Sequence, residues 1–296
     1  MSDAHFAGTI PVLPQRLIVF SSLDGSLLDS ETRAWEAARP ALDVLRRLEI
    51  PVVLTSSQTR GEVAAHARAM DLATPFVAES GGAIVVPAGY FGHKVPGSQT
   101  RDGYDVLPLG VPRRDLARAL AEMATKIGAR VRGIASLGLS EVQRLTGLSG
   151  GAVRLALERE HDEPFVVEDE ASLAALAEAA RERKLRVRRG RRFFHLSGDT
   201  DKGRAARVLM GLFEAAGRRL VSIGLGDAPN DLSLLTAVQQ PIVIPGPDGT
   251  ADPALAESLP GAQLAPRPGP AGWNAAVLAV LRGERLPAAK PRPGAD

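Results

Sequence analysis

Apolar and polar positions alternate in a repeating order along the first part of the chain. Leu17 to Phe20 is a short unbroken apolar run, and Arg33 to Leu48 then carries Ala37, Ala41, Leu42, Leu45 and Leu48 at the spacing of one helix face. Pro51-Val-Val-Leu54 is a second short run, ended by Thr55-Ser56-Ser57. Thr59 to Met70 again reads as helix, and Pro75-Phe-Val-Ala78 is a third run, closed by Glu79-Ser80-Gly81-Gly82. Strand, helix, strand, helix, strand with short polar turns predicts an α/β fold with a doubly wound parallel sheet. Such sheets take their ligands at the carboxyl ends of the strands.

The alternation returns late. Leu220 to Ile223 reads as a strand ending in Gly224-Leu-Gly-Asp-Ala-Pro-Asn-Asp231, Leu232 to Val238 as a helix, and Pro241 to Ile244 as another strand. Between the two blocks the rhythm changes: long Ala/Leu/Arg/Glu helices (Arg113 to Ile127, Ser172 to Lys184) alternate with β-like pieces such as Pro164-Phe-Val-Val167. The expectation is a discontinuous Rossmann-like core at 15–86 and 196–283, an α+β cap inserted at 87–195, and flexible termini at 1–14 and 284–296. The tail from Pro287, rich in Pro, Ala and charge, is expected to be disordered.

Composition narrows the function. Lys and Arg number 36 against 34 Asp and Glu, and aromatic residues are 4% of the chain. Without a dense basic patch interleaved with aromatics, nucleic acid is not the expected partner. The cluster Arg181, Arg183, Lys184, Arg186, Arg188, Arg189, Arg191 and Arg192 reads mainly as a solvated helix end and an edge strand, with room for one or two anion-facing members. There is no cysteine, which excludes disulfides, zinc-thiolate sites and thiol nucleophiles. With neither a leader-like start nor an apolar run of membrane-spanning length, a soluble cytoplasmic protein with no membrane partner is expected. The residues specify no oligomeric state.

Four polar clusters fall at the ends of predicted strands or at a helix start, far apart in sequence and convergent if the sheet is parallel. They are Ser22 with Asp24; Ser56; Asp201-Lys202-Gly203; and Asp227 with Asp231 in a glycine-containing turn. Carboxylates with one lysine and one serine make a hard-oxygen site for Mg²⁺ and a phosphoryl group.

In that order and on those elements, the clusters resemble the haloacid dehalogenase (HAD) superfamily of Mg²⁺-dependent phosphatases, and within it the mannosyl-3-phosphoglycerate phosphatases. The resemblance rests on Ser21-Ser-Leu-Asp-Gly-Ser-Leu-Leu28 against the family's D-L-D-G-T-L-L, Ala78-Glu-Ser-Gly-Gly82 against E-N-G, and Leu145-Thr-Gly-Leu-Ser149 in the cap. It rests also on Gly190-Arg-Arg-Phe-Phe-His195 leading to Asp201-Lys-Gly203, Gly226-Asp-Ala-Pro-Asn-Asp231, and Gly269-Pro-Ala-Gly-Trp273, and covers about Arg16 to Arg282. It implies Mg²⁺ as cofactor and a small phosphorylated metabolite as substrate, a glycoside of 3-phosphoglycerate. The family's nucleophilic aspartate falls on Ser22. Asp24 matches the general acid/base, whose backbone carbonyl also faces the metal; Ser56 matches the phosphate-binding hydroxyl and Lys202 the ammonium that balances charge. Asp227, with Asp231 behind it, matches the metal ligands.

Ser22 is a chemical departure, because a serine hydroxyl needs activation where a carboxylate does not. Ser80 in place of the family's asparagine and Gln58 in place of an expected lysine depart in the same direction. Three readings stay open: a weak phosphatase in which Asp24 directs water or Ser22 substitutes as nucleophile, a catalytically silent relative that binds a phosphorylated ligand for regulation or assembly, and a residue changed to trap a complex. The candidates for the rest of the ligand are Glu79 and Ser80 at the end of the third strand, and Arg159, Glu163, Arg192 and His195 in the cap. Arginine suits a carboxylate through its bidentate fork, and glutamate suits sugar hydroxyls. Arg159 and Glu163, four apart, could instead pair on a helix end. His195 could be a packed edge-strand histidine, and Phe193 and Phe194 are expected to pack the hinge.

Overall fold

The structure is a computed structural model and describes residues 16–148, 150–190 and 193–289. The strands, in chain order, are β1 (Leu17–Ser22), β2 (Val52–Thr55), β3 (Phe76–Ala78), β4 (Ala83–Pro87), β5 (Gln99–Arg101), β6 (Tyr104–Pro108) and β7 (Val131–Gly133). They continue as β8 (Asp162–Val167), β9 (Leu185–Arg189), β10 (Phe194–Gly198), β11 (Val221–Gly226), β12 (Gln240–Val243) and β13 (Gln263–Leu264). The chain divides into two compact units, Met1–Val52 with Gly217–Asp296, and Val53–Ala216.

In the first unit β1, β11, β12 and β13 lie side by side, all parallel. Every residue of β1 is buried, as a parallel strand covered on both faces requires. Its register with β11 sets Ser21 opposite Leu225, so the turns after Ser22 and Gly226 leave the sheet at the same end. Helix Gly269–Leu281 supports that end: the buried indole of Trp273 donates to Ser21 Oγ at 2.9 Å, and Asn274 Oδ1 accepts the Ala41 backbone N–H at 2.8 Å. The latter satisfies an orphan donor in the first turn of helix Arg39–Arg47.

The tail departs from expectation at residues 287–289, while 290–296, like the N-terminal segment 1–14, lie outside the described residues. Leu264 N–H donates to the Pro287 carbonyl, Ala289 N–H donates to the Ala262 carbonyl, and Ala289 is buried among Leu235, Val243 and Leu255. Residues 287–289 are therefore pinned along β13, because an unpaired sheet edge and an apolar alanine site outweigh the polar composition of the segment.

In the second unit β3 pairs parallel with β2, then antiparallel with β4, and the order runs β2, β3, β4, β6, β5. The expected cap boundary at 87 thus falls inside a continuing sheet, since Ile84 and Val85 pair with Leu107 and Val106. A separate antiparallel sheet, ordered β7, β8, β10, β9, extends to Gly198, beyond the expected boundary at 195. One of its faces is apolar: Phe165, Leu185 and Leu196 pack with Leu116, Leu120 and Met123 of helix Arg113–Ile127 and Leu176 of helix Leu173–Glu182. Of the two phenylalanines expected at a hinge, only Phe194 packs on this face, and Phe193 belongs to a separate apolar cluster. Phe193 lies among Ile134, Val142 and Val153, and Phe194 lies against Phe165 with ring centroids 5.8 Å apart.

Within the arginine cluster, β9 is an edge strand, and Arg181, Arg183 and Arg189 pair with Glu178, Glu122 and Glu170 on exposed surface. Arg188 is half-buried and stands apart. Among the described residues no helix is long and apolar enough to cross a membrane.

Candidate active site

The first unit brings four of the predicted residues, Ser22, Asp24, Asp227 and Asp231, to one end of its sheet. Ser22 ends β1, buried, and its carbonyl accepts from Ser21 Oγ at 2.8 Å. Asp24 follows in a tight turn, half-exposed and ion-paired with Arg33. The turn passes through Gly25 at φ +77°, where a Cβ would lie 2.2 Å from Asp227 Oδ2. Only glycine lets the turn backbone approach that carboxylate so closely. Asp227 Oδ1 accepts from Ser26 Oγ at 2.8 Å. Asp231, expected behind Asp227 at the metal, is fully buried, and its Oδ2 accepts the backbone N–H groups of Asp227 and Ala228 at 3.1 and 3.4 Å. That carboxylate holds the turn that presents Asp227.

The second unit holds the expected phosphate-binding residues. Ser56 is buried after β2; its Oγ accepts the Gln58 N–H at 3.1 Å and its carbonyl accepts the Ser80 N–H at 2.8 Å. Lys202 is a buried first residue of helix Lys202–Ala215, which Asp201 caps by accepting the Arg204 N–H at 2.7 Å. Glu79 and Ser80 link these pieces, both at positive φ, 49° and 54°. Glu79 N–H donates to the Gln58 carbonyl, and a Cβ on Gly81 would lie 2.2 Å from the Asp201 carbonyl oxygen.

Glu79 does not offer its carboxyl to a ligand. It is buried, and its two oxygens accept the backbone N–H groups of Glu160 and His161, each at 2.8 Å. Burial pushes its pKa up to about 7, against the pull of Arg159 and the two N–H groups.

The cap candidates are pairwise rearranged. Arg159 and Glu163 do not pair with each other: Arg159 Nη1 donates to Asp162 Oδ2 at 2.8 Å and to the Ser57 carbonyl at 3.0 Å, while buried Glu163 accepts from Arg113 Nε at 2.6 Å. The reason is local structure, because residues 158–161 form a loop and not a helix end. His195 sits on the interior strand β10 with Nδ1 2.7 Å from the same Asp162 Oδ2. Arg192 lies outside the described residues. Sequence reasoning missed Asp162, which lies between Arg159 and Glu163 without a spacing to single it out and joins Arg159 to His195.

No family model matches the chain. A glucosyl-3-phosphoglycerate/mannosyl-3-phosphoglycerate phosphatase of Methanococcoides burtonii is 35% identical over 265 residues, spanning 89% of this chain and 97% of the relative. This chain belongs to the glucosyl-3-phosphoglycerate/mannosyl-3-phosphoglycerate phosphatase family. A second member of the family, from Persephonella marina, is 33% identical over 90% of this chain and 97% of its own length. Solved structures carry the same fold at low identity. A HAD phosphatase of Bacteroides thetaiotaomicron superposes with a TM-score of 0.63 at 16% identity, covering 93% of this chain and 97% of that one. A HAD subclass IIB sugar phosphatase gives 0.60 at 13% identity, covering 89% and 97%. The expected α/β fold of the HAD type is the fold that these solved structures share with this chain.

Proposed function

We propose that this chain binds the phosphomonoester of a small glycosyl-glycerate, of the mannosyl- or glucosyl-3-phosphoglycerate kind, and hydrolyses it slowly. The observation that carries the reading is the turn pair of the first unit: Asp24 and Ser26 from one turn and Asp227 from the other, at the carboxyl ends of neighbouring parallel strands. In this reading, within the first unit, Asp24 is the group that moves a proton and Ser22 occupies the nucleophile's place without its charge; within the second unit, Ser56 and Lys202 are the groups suited to phosphate oxygens. The family membership supports the substrate class.

The donor set bears on Mg²⁺. Among the described residues no three acidic or histidine side chains gather where a metal ion would sit, since Asp24 faces Arg33 and Asp231 holds backbone donors. What is present fits a hard cation held through Asp227, turn backbone oxygens, water and ligand phosphate, which is how Mg²⁺ binds when few carboxylates are available. Bound there, the ion would neutralise charge on the phosphoryl group. Affinity in the absence of ligand would be low, because Ser22 contributes no anionic oxygen.

Two features favour binding without turnover as a second reading: Ser22 itself, and the Arg33 partner on Asp24. The experiment is phosphate release from mannosyl- and glucosyl-3-phosphoglycerate with Mg²⁺, for the chain and for Asp24→Asn. Slow release that Asp24→Asn abolishes supports hydrolysis. Saturable binding with no release supports the second reading, and absence of both defeats the proposal.

A further inference from the structure

Asp24 and Arg33 form an ion pair beside the turn that follows β1, and both side chains are half-exposed. Each partner stands on a closed backbone frame. Around Asp24, Gly25 N–H donates to the Leu28 carbonyl at 2.9 Å and Leu28 N–H donates to the Leu23 carbonyl at 2.8 Å. The loop that follows folds back on Asp29, whose Oδ1 accepts the Glu31 and Thr32 N–H groups and the Thr32 hydroxyl at 3.1, 2.8 and 2.9 Å. Asp29 N–H donates to the Ala34 carbonyl at 2.9 Å, and Arg33 N–H to the Asp29 carbonyl at 3.1 Å. Arg33 itself sits at φ 64°, in the left-handed region that a long side chain enters only when its surroundings hold it there. The short loop thus sets its guanidinium beside Asp24.

The pair borders the Mg²⁺ position of the reading above. Gly25, next after Asp24, comes so close to Asp227 that a Cβ on it would lie 2.2 Å from Oδ2. A cation at Asp24 therefore acts on a divalent ion at Asp227 twice over: it cancels the charge of the one carboxylate in this turn, and it repels the ion at short range. The remaining charges do not make up the difference. Asp231 is given to the N–H groups of Asp227 and Ala228, and Ser22 carries no charge. A half-exposed pair also adds little to stability, so Asp24 can exchange Arg33 for a stronger cation when one arrives.

We propose that Arg33 is a built-in counter-cation, which neutralises Asp24 until a divalent ion displaces it and so makes metal binding weaker than these carboxylates alone would give. The inference rests on the Mg²⁺ reading of the two turns and adds to it the residue that opposes the metal.

The test is binding of Mn²⁺ alone to the full chain, followed by water-proton relaxation, because Mn²⁺ shares the oxygen-ligand preference of Mg²⁺. Arg33→Gln removes the charge and is expected to bind Mn²⁺ about three- to tenfold more tightly than the parent. That gain shrinks as KCl is raised to about 0.5 M, and Arg33→Lys, which keeps the charge, stays near the parent. Arg46→Gln breaks another half-exposed pair of the same unit, with Asp43, and leaves the affinity unchanged. Equal affinity in the parent and Arg33→Gln overturns the proposal and leaves the metal reading standing, as does an equal gain in Arg46→Gln. Weaker binding in Arg33→Gln overturns it too, because Arg33 would then only hold the loop in shape. Binding that survives Asp227→Asn, or no Mn²⁺ binding in any form, overturns the metal reading and the proposal with it.

Discussion

Ser26 Oγ donates to Asp227 Oδ1 at 2.8 Å, fastening the turn after β1 to the turn after β11 across 201 positions of sequence. The parallel register of the two strands delivers both turns to one end of the sheet, and Gly25 lets them touch. Ser26→Ala removes one partly buried hydrogen bond and is expected to cost about 0.5–1.5 kcal/mol in urea unfolding. Gly25→Ala is expected to do more. It adds strain of about 1 kcal/mol at a positive φ and forces the Asp227 carboxylate aside, so Mg²⁺-dependent ligand binding is lost along with stability.

Trp273 reaches the same strand from behind. Its indole N–H donates to Ser21 Oγ, which donates in turn to the Ser22 carbonyl. Trp273→Phe keeps most of the buried ring and breaks the chain of hydrogen bonds, at an expected cost of about 1–3 kcal/mol by denaturant titration. Ser21→Ala in the Trp273→Phe background should add only the loss of the Ser21 Oγ to Ser22 carbonyl bond, about 0.5–1.5 kcal/mol, because the bond shared with Trp273 is already gone.

Glu79 gives the chain a pH dependence of definite sign. Its pKa is about 7 when folded, against 4.5 as the ordinary value, so the native state keeps a proton that the unfolded state has lost. The contribution is present in full below about pH 4.5 and disappears as pH rises through about 7, by about 3 kcal/mol at most. Urea midpoints measured across that window should fall with rising pH in the parent and lose that slope in Glu79→Gln. Asp162 acts with the opposite sign and in more acidic solution, because its pKa is lowered and its contribution is lost as pH falls through it.

Thr59 is a local test of the loop that follows Ser56. Its side chain accepts the Glu62 N–H, Glu62 returns to the Thr59 N–H, and Thr59 Oγ1 also donates to the Leu155 carbonyl at 2.8 Å. Thr59→Ala is expected to cost about 1–2 kcal/mol, measured by thermal unfolding.

The elements were legible wherever a single face of the chain carried the signal. Helix Arg113–Ile127 is where its apolar spacing put it, ended by Gly128 in the left-handed region, and the strands leading to Ser22, Ser56 and Glu79 lie within two residues of the apolar runs that predicted them. What the chain's pattern could not carry was pairing between distant segments. The hairpin of β5 and β6 is short and largely polar, and residues 287–289 are ordered only by the edge of β13. The same limit governed the site. The motif residues were legible one by one, but the sequence offered Arg159 and Glu163 to each other, and folding gave them to Asp162 and Arg113.

The central claim is that Ser22 stands in an otherwise usable phosphatase site. The direct measurement is phosphate release from mannosyl-3-phosphoglycerate with Mg²⁺, comparing the chain with Ser22→Asp. Restoring a nucleophile is expected to raise turnover by at least about 10³-fold, given the roughly 10⁶-fold losses that removal of a nucleophile causes in a well-formed site. Turnover that stays unchanged or falls in Ser22→Asp, with the variant folded and still binding the ester, would contradict the account.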